Sequence, residues 1–138
     1  MKYTLIYYML ISNLFGYNLT IQVDNFRNSK GLAQFSLYNT KGSIPDQHFT
    51  KYYKQIKTNI HHNTAKVVFT NLPEGKYAVN ILHDENQNGK IDQGFILPTE
   101  GIGFTNFDSI NLMNKPNFHK ASILLNQDKI KNIKVIYF

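Results

Sequence analysis

The residues whose types and spacing could do chemistry fall in one stretch, His83-Asp84-Glu85-Asn86-Gln87-Asn88-Gly89-Lys90-Ile91-Asp92. Asp84, Asn86, Asn88 and Asp92 stand at positions 1, 3, 5 and 9 of a loop whose position 6 is Gly89. Calcium takes six to eight oxygens, and a short loop supplies them when alternate side chains turn inward. Glycine at the sixth place permits the sharp reversal, because a residue without Cβ enters positive φ at little cost. The Lys90 carbonyl is then the backbone ligand at position 7, with Ile91 the apolar anchor beside it. This follows the EF-hand loop pattern up to position 12, where Phe95 replaces the bidentate glutamate. Glu85 and Glu100 are the nearest acids able to complete a site. The expected metal set is therefore Asp84, Asn86, Asn88, the Lys90 carbonyl, Asp92 and Glu100, with calcium as the ion. So few formal charges imply an affinity on the order of 10⁻⁴–10⁻³ M. Magnesium fits less well, since it demands strict octahedral geometry and keeps its waters. The bland alternative is a polar turn closed by Asn88-Gly89, a strong hairpin signal, with Asn and Asp satisfying their own backbone. Hairpin chemistry alone asks for Asn-Gly and not for four spaced oxygens, which favours the metal.

Other chemistry is weaker. A glycosidase needs two carboxylates facing one sugar, and Asp84 and Glu85, adjacent in a strand, would point to opposite faces. Glu100 with Asp84 or Asp92 is the remaining pair for a glycan-active or metal-dependent hydrolase. A zinc hydrolase wants histidine-rich ligands with an open position, but His61-His62 lie far from His83 in sequence. No catalytic constellation is expected. Tyr52-Tyr53 and Phe95, Phe104 and Phe107 could form a sugar-stacking or partner-binding surface, although aromatic residues more often pack inside.

The elements that must position the loop are strands. Leu19, Ile21 and Val23 alternate with polar residues, as do Ala33, Phe35 and Leu37, and then Ala65, Val67 and Phe69. Asn71-Leu72-Pro73-Glu74-Gly75 is a turn, and Tyr77–His83 runs from it straight into the acidic loop. His48–Ile60 is irregular or weakly helical, with Phe49, Tyr52, Tyr53 and Ile56 on one side and Lys51, Lys54 and Lys57 on the other. Residues 95–107 are glycine-rich and extended, with little regular pairing. Ala121–Leu125 and Ile133–Phe138 supply the closing strands. Short strands with turn signals between them and no long helix indicate an all-β fold, an antiparallel β-sandwich of about seven strands.

Met1–Gly16 begins with Lys2, continues through the apolar run Leu5–Ile11 and ends in small and polar residues, the layout of a secretory signal peptide. The apolar run is shorter than the roughly 20 residues that span a bilayer. The expected organisation is a signal over 1–16 and one domain over 17–138, with no transmembrane segment after cleavage. Cysteine is absent, so no disulfide framework or cysteine metal site exists. The nine Tyr and ten Phe suffice for a real core. The formal charge of +6 gives general attraction to anionic surfaces. The lysines are scattered, without the concentrated stripe or motif that nucleic-acid binding requires.

Three runs carry a resemblance: Leu72-Pro73-Glu74-Gly75-Lys76-Tyr77-Ala78-Val79, the acidic stretch His83–Asp92, and Pro98-Thr99-Glu100-Gly101-Ile102-Gly103-Phe104-Thr105-Asn106. With Pro116 and Phe118-His119-Lys120-Ala121, they make the chain similar to the DUF2141 family over essentially Leu19 to Tyr137. The resemblance implies a bacterial secreted or envelope protein of uncharacterised function. The Leu-Pro-x-Gly-x-Tyr turn also resembles that of prealbumin-like and carboxypeptidase-regulatory-like sandwiches, implying an Ig-like or prealbumin-like topology with Tyr77 in the core. The resulting expectation is a secreted or periplasmic, monomeric, non-catalytic binding or structural module. Its partner would be an envelope component or a glycan.

Overall fold

The structure, a computed structural model, describes residues 16–92 and 98–138. The expected signal segment up to residue 15, and Phe95, lie outside the described residues. Within them the chain forms eight strands and one helical turn: β1 (Tyr17–Val23), β2 (Leu32–Tyr38), β3 (Lys54–Asn59), β4 (Ala65–Leu72), β5 (Gly75–Asp84), β6 (Ile102–Phe104), α1 (Phe118–Ala121), β7 (Ile123–Leu125) and β8 (Lys129–Asn132). They make two sheets, one ordered β4-β1-β8 and the other β3-β2-β5-β6. β7 pairs the start of β5 at Gly75–Tyr77, while β6 pairs its middle at Asn80–Leu82. The fold is an all-β sandwich. Its pairings are antiparallel except that β8 lies parallel to β1.

The alternation of apolar residues builds the core directly. Leu19, Ile21 and Val23 of β1 and Val67 and Phe69 of β4 face Phe35 and Leu37 of β2 and Val79 and Ile81 of β5, all buried. The turn after β4 forms as expected: Asn71 takes φ 55°, and the Tyr77 hydroxyl donates to the Pro73 carbonyl at 2.6 Å. β5 is buried along eight consecutive residues, Tyr77–Asp84. Its second face, with Ala78, Asn80, Leu82 and Asp84, is covered because a smaller cluster packs outside the sheet. Tyr38, Ile44, Phe104, Phe107 and Phe118 form that cluster, with Phe104 and Phe107 edge-to-face at 6.1 Å.

Three expectations are corrected. The segment expected to be irregular or weakly helical, His48–Ile60, contains β3, whose residues 54–59 pair antiparallel with β2. An edge strand holds partners on one side only, and Ile56 is the single large apolar residue in it, so no period-2 signal was available. Ile102–Phe104, expected to pair little, is a sheet strand. The last strand is not Ile133–Phe138 but β8 upstream of it. Within 133–138, Ile136 makes an isolated bridge to Ile102, and the Asn25 side chain bonds both the N–H and the C=O of Val135 (2.9 and 2.8 Å). An amide side chain thus satisfies the backbone where a neighbouring strand would have done so. No helix among the described residues is long and apolar enough to cross a membrane.

Candidate functional site

The acidic loop springs from the end of β5. Leu32 of β2 pairs with Asp84, so the loop begins at the open end of the two central strands of this sheet. Paired residues share a face, which puts Asp84 on the outer side with Asn80 and Leu82. Gly31, at φ 68°, passes so close beneath that a Cβ there would lie 2.0 Å from the Asp84 carbonyl oxygen.

Asp84 is buried, and both its oxygens organise the loop. Oδ1 accepts from the Asn88 N–H at 3.1 Å and Oδ2 from the Gly89 N–H at 2.7 Å. Gln87 and Gly89 take the left-handed conformation at φ 58° and 70°. Asn86 Oδ1 accepts from the Asn88 N–H at 3.3 Å, and Asn88 Oδ1 from the Lys90 N–H at 2.9 Å. Asp92 closes the ring: Asn88 Nδ2 donates to its Oδ1 at 2.8 Å, and Asn86 Nδ2 donates to its Oδ2. Glu100, in the segment leading to β6, reaches back from the far side. Its Oε2 accepts the Glu85 N–H at 2.7 Å and its Oε1 the Asp92 N–H at 3.2 Å. Glu100 is only 5% exposed.

The expected ligand residues Asp84, Asn86, Asn88, Asp92 and Glu100 are thus brought together, each bonded to another of them or to the loop backbone between them. Lys90, whose carbonyl was assigned the seventh position, has an exposed side chain on the same loop. Glu85 does not join them. Its carboxylate turns to the opposite side, where Arg27 Nε donates to Oε1 at 2.7 Å and the guanidinium forms an ion pair with it. β5 ends at Asp84, and Glu85 is the first residue of the turn that follows.

The electrostatics differ across the loop. Burial pushes the Glu100 carboxyl above the ordinary carboxylate value, and the nearby Asp92 and Asp84 push it the same way against two backbone hydrogen bonds. The Asn88 amide bonded to Asp92 leads the effects that hold that carboxyl below its ordinary value. Burial also raises Glu85, but the hydrogen bonds from Arg27 and Asn28 and the Arg27 charge outweigh it and leave it lowered. Among the described residues, Arg27–Glu85 is the one ion pair that Lys or Arg makes, so Asp84, Asp92 and Glu100 have no such partner. Nor, among the described residues, do three Asp, Glu or His side chains stand close enough together to hold an ion by themselves. Half the expected ligand set is amide and backbone carbonyl, and the carboxylates are spent on N–H donors.

Sequence reasoning missed the network on the inner side of the loop. His83 is fully buried; Nδ1 is 2.8 Å from the Tyr137 hydroxyl and Nε2 2.9 Å from the Lys30 carbonyl. The carbonyl can only accept, so Nε2 carries a proton; in the neutral ring Nδ1 then accepts from the Tyr137 hydroxyl. Tyr137 Oη also accepts the Arg27 N–H at 3.0 Å, and the Arg27 guanidinium lies 4.7 Å from the Tyr137 ring centre. Arg27 and Tyr137 are 110 residues apart, so no local signal joins them. Of the expected aromatic surface, Phe104 and Phe107 are buried, whereas Tyr52 and Tyr53 are 40% and 44% exposed. His61 and His62 sit on an exposed turn.

The family model for DUF2141, described as an uncharacterized protein conserved in bacteria, matches residues 21–134. The chain belongs to DUF2141. The match takes in the end of β1 and all of β2 through β8, together with the acidic loop and Glu100. No curated protein and no solved structure matches the chain. In this DUF2141 chain the loop, its Glu100 support and the His83–Tyr137 network all lie at one end of β5.

Proposed function

We propose that this DUF2141 chain is a secreted or periplasmic, non-catalytic sandwich module whose Asp84–Asp92 loop is ordered by calcium, serving a binding or structural role in the envelope. One observation carries this reading. Glu100, almost fully buried, shares the loop with Asp84 and Asp92, and burial plus those two charges raise its pKa. A divalent cation is the partner that would neutralise such a set. Asp84, Asn86, Asn88, Asp92 and Glu100 would hold it with the Lys90 carbonyl. Rotating the Asn86 and Asn88 amides would turn their oxygens, in place of their nitrogens, toward Asp92. The ion would supply structural charge neutralisation. The signal-like start of the chain supports export, where millimolar calcium suits a weak site.

Thermal unfolding in EDTA and in 10 mM calcium tests the reading. A site with Kd near 10⁻⁴ M gains about 2.7 kcal/mol at that concentration, which raises Tm by several degrees. The gain should be absent with magnesium and in Asp84→Ala. An unchanged Tm would return the loop to a hydrogen-bonded turn. The second reading, a glycan- or partner-binding module, has the exposed Tyr52 and Tyr53 in its favour. A glycan array without hits would remove it.

A further inference from the structure

The outer face of the β3-β2-β5-β6 sheet carries a cleft beside the acidic loop. Gln47, His48 and Phe49 form one wall of a space of about 640 Å³, and Gly89, Lys90 and Ile91 form the other. Further along the face is a cavity of about 150 Å³, bounded by Asn80, Ile102, Phe104 and Ile110 together with three prolines. Gln47 and Ile91 border both spaces, so the two adjoin.

Their chemistries differ. The inner cavity is walled mainly by apolar groups, with Tyr38, Asp46, Gln47 and Asn80 as its polar lining. The Tyr38 hydroxyl donates to Asp46 Oδ2 at 2.9 Å, Asp46 also accepts from the Thr50 and Lys51 N–H groups, and Asn80 Nδ2 donates to the Gly103 carbonyl at 3.2 Å. An apolar cavity of about 150 Å³ accommodates one benzene-sized ring. A sugar, with hydroxyls all round, would find few partners there. Two lysines stand at the outer cleft. Lys90 is exposed on its wall, and Lys57 Nζ comes within 3.5 Å of the place a Gly89 Cβ would occupy. His48 stands opposite. The nearby acids accept hydrogen bonds from neutral groups of their own surroundings, Asp46 from Tyr38, Asp84 from the Asn88 and Gly89 N–H groups and Asp92 from Asn86 and Asn88. Phe49 is held at φ 50°, a conformation costly for a bulky residue and concentrated at ligand-binding positions.

We propose that this cleft binds a small carboxylate bearing one ring, the ring filling the inner cavity and the carboxylate meeting Lys90 and Lys57. The inference goes beyond the calcium reading and stands without it, although Gly89–Ile91 serve both.

Titration of the ¹⁵N-labelled protein with 3-phenylpropionate, in EDTA and again in calcium, is the test. A ligand of this size is expected to bind with Kd in the millimolar range, shifting the amides of Gln47, Ile91 and Phe104. The neutral 3-phenylpropanol should bind several-fold more weakly. Lys90→Ala, at an exposed position, should remove most of that preference. Ile110→Trp, which fills the inner cavity, should weaken both ligands. No shifts at 10 mM, shifts scattered over the surface, or equal binding of acid and alcohol would overturn the proposal. Binding in EDTA by a protein without a calcium-dependent Tm would uphold this proposal and remove the calcium reading. Binding only in calcium would uphold the calcium reading and overturn this proposal, because the carboxylate would then meet the ion in place of the lysines.

Discussion

Glu100 is the residue whose behaviour most sharply separates an ion site from a turn. Its carboxyl is raised from the ordinary 4.5 by burial first and by Asp92 and Asp84 after that. A raised acid binds its proton more tightly in the folded state. Its contribution to stability is therefore complete below pH 4.5 and is lost as pH rises through the folded value. In EDTA, the wild type should lose stability relative to Glu100→Gln as pH climbs from 4 toward 7. Calcium, which favours the ionised form, should flatten that loss. Tm measured against pH for both proteins checks it, and parallel curves in EDTA would refute the burial argument. Tyr137→Phe keeps the packed ring but removes the hydroxyl that His83 and the Arg27 N–H share. It should cost about 1–3 kcal/mol in denaturant unfolding, the usual range for leaving a buried polar group unpaired. His83, near the end of β5, hydrogen-bonds through both ring nitrogens. The identity of its partners was not legible, because Lys30 and Tyr137 arrive from opposite ends of the chain.

At the scale of elements, β5 does the positioning. It is central in its sheet, buried on both faces, and delivers Asp84 to the outer side with Glu85 turned away. β2 supports it through Gly31, where the backbone passes under Asp84. Gly31→Ala would add a Cβ 2.0 Å from the Asp84 carbonyl oxygen at a residue with φ 68°. Unlike a flexible side chain, backbone cannot step aside cheaply, so this variant should lower Tm and shrink the calcium-dependent gain together. A lowered Tm with the full calcium gain would separate the loop from its support. The strands with one apolar residue in two, β1, β2 and β4, were legible in the sequence: β1 and β4 bury one face, and β2, though buried on both, keeps polar Gln34 and Ser36 on its second face. β3 was not, since Ile56 and the preceding Phe49, Tyr52 and Tyr53 are spaced like a helix face and only β2 pairs with the strand. The C-terminal segment misled in the other direction. It is apolar because Ile133 and Val135 enter the core, yet Asn25 rather than a strand takes up the Val135 backbone.

For the whole molecule, the two sheets and the outer cluster divide the protein into layers of different protection. Native-state hydrogen exchange should find the slowest amides in β1, β2 and β5, which are paired on both sides, and faster exchange in the edge strands β3 and β8. In calcium, protection should rise at Asn88, Gly89 and Lys90, whose N–H groups bond to Asp84 and Asn88 side chains. Uniform slowing across all strands would mean that calcium acts elsewhere. What the sequence by itself determined is local: the alternating strands, the turn at Pro73–Gly75, the spacing of oxygens from Asp84 to Asp92, and membership of the DUF2141 family. These follow from side-chain period and turn chemistry, which neighbouring residues specify. Tertiary structure decided the parallel docking of β8 on β1, the burial of Glu100 behind the loop, the Arg27–Tyr137–His83 network and the cleft between loops 47–49 and 89–91. Each depends on which distant segments share a face of the sandwich, and that is set by packing of the whole core rather than by any stretch within it.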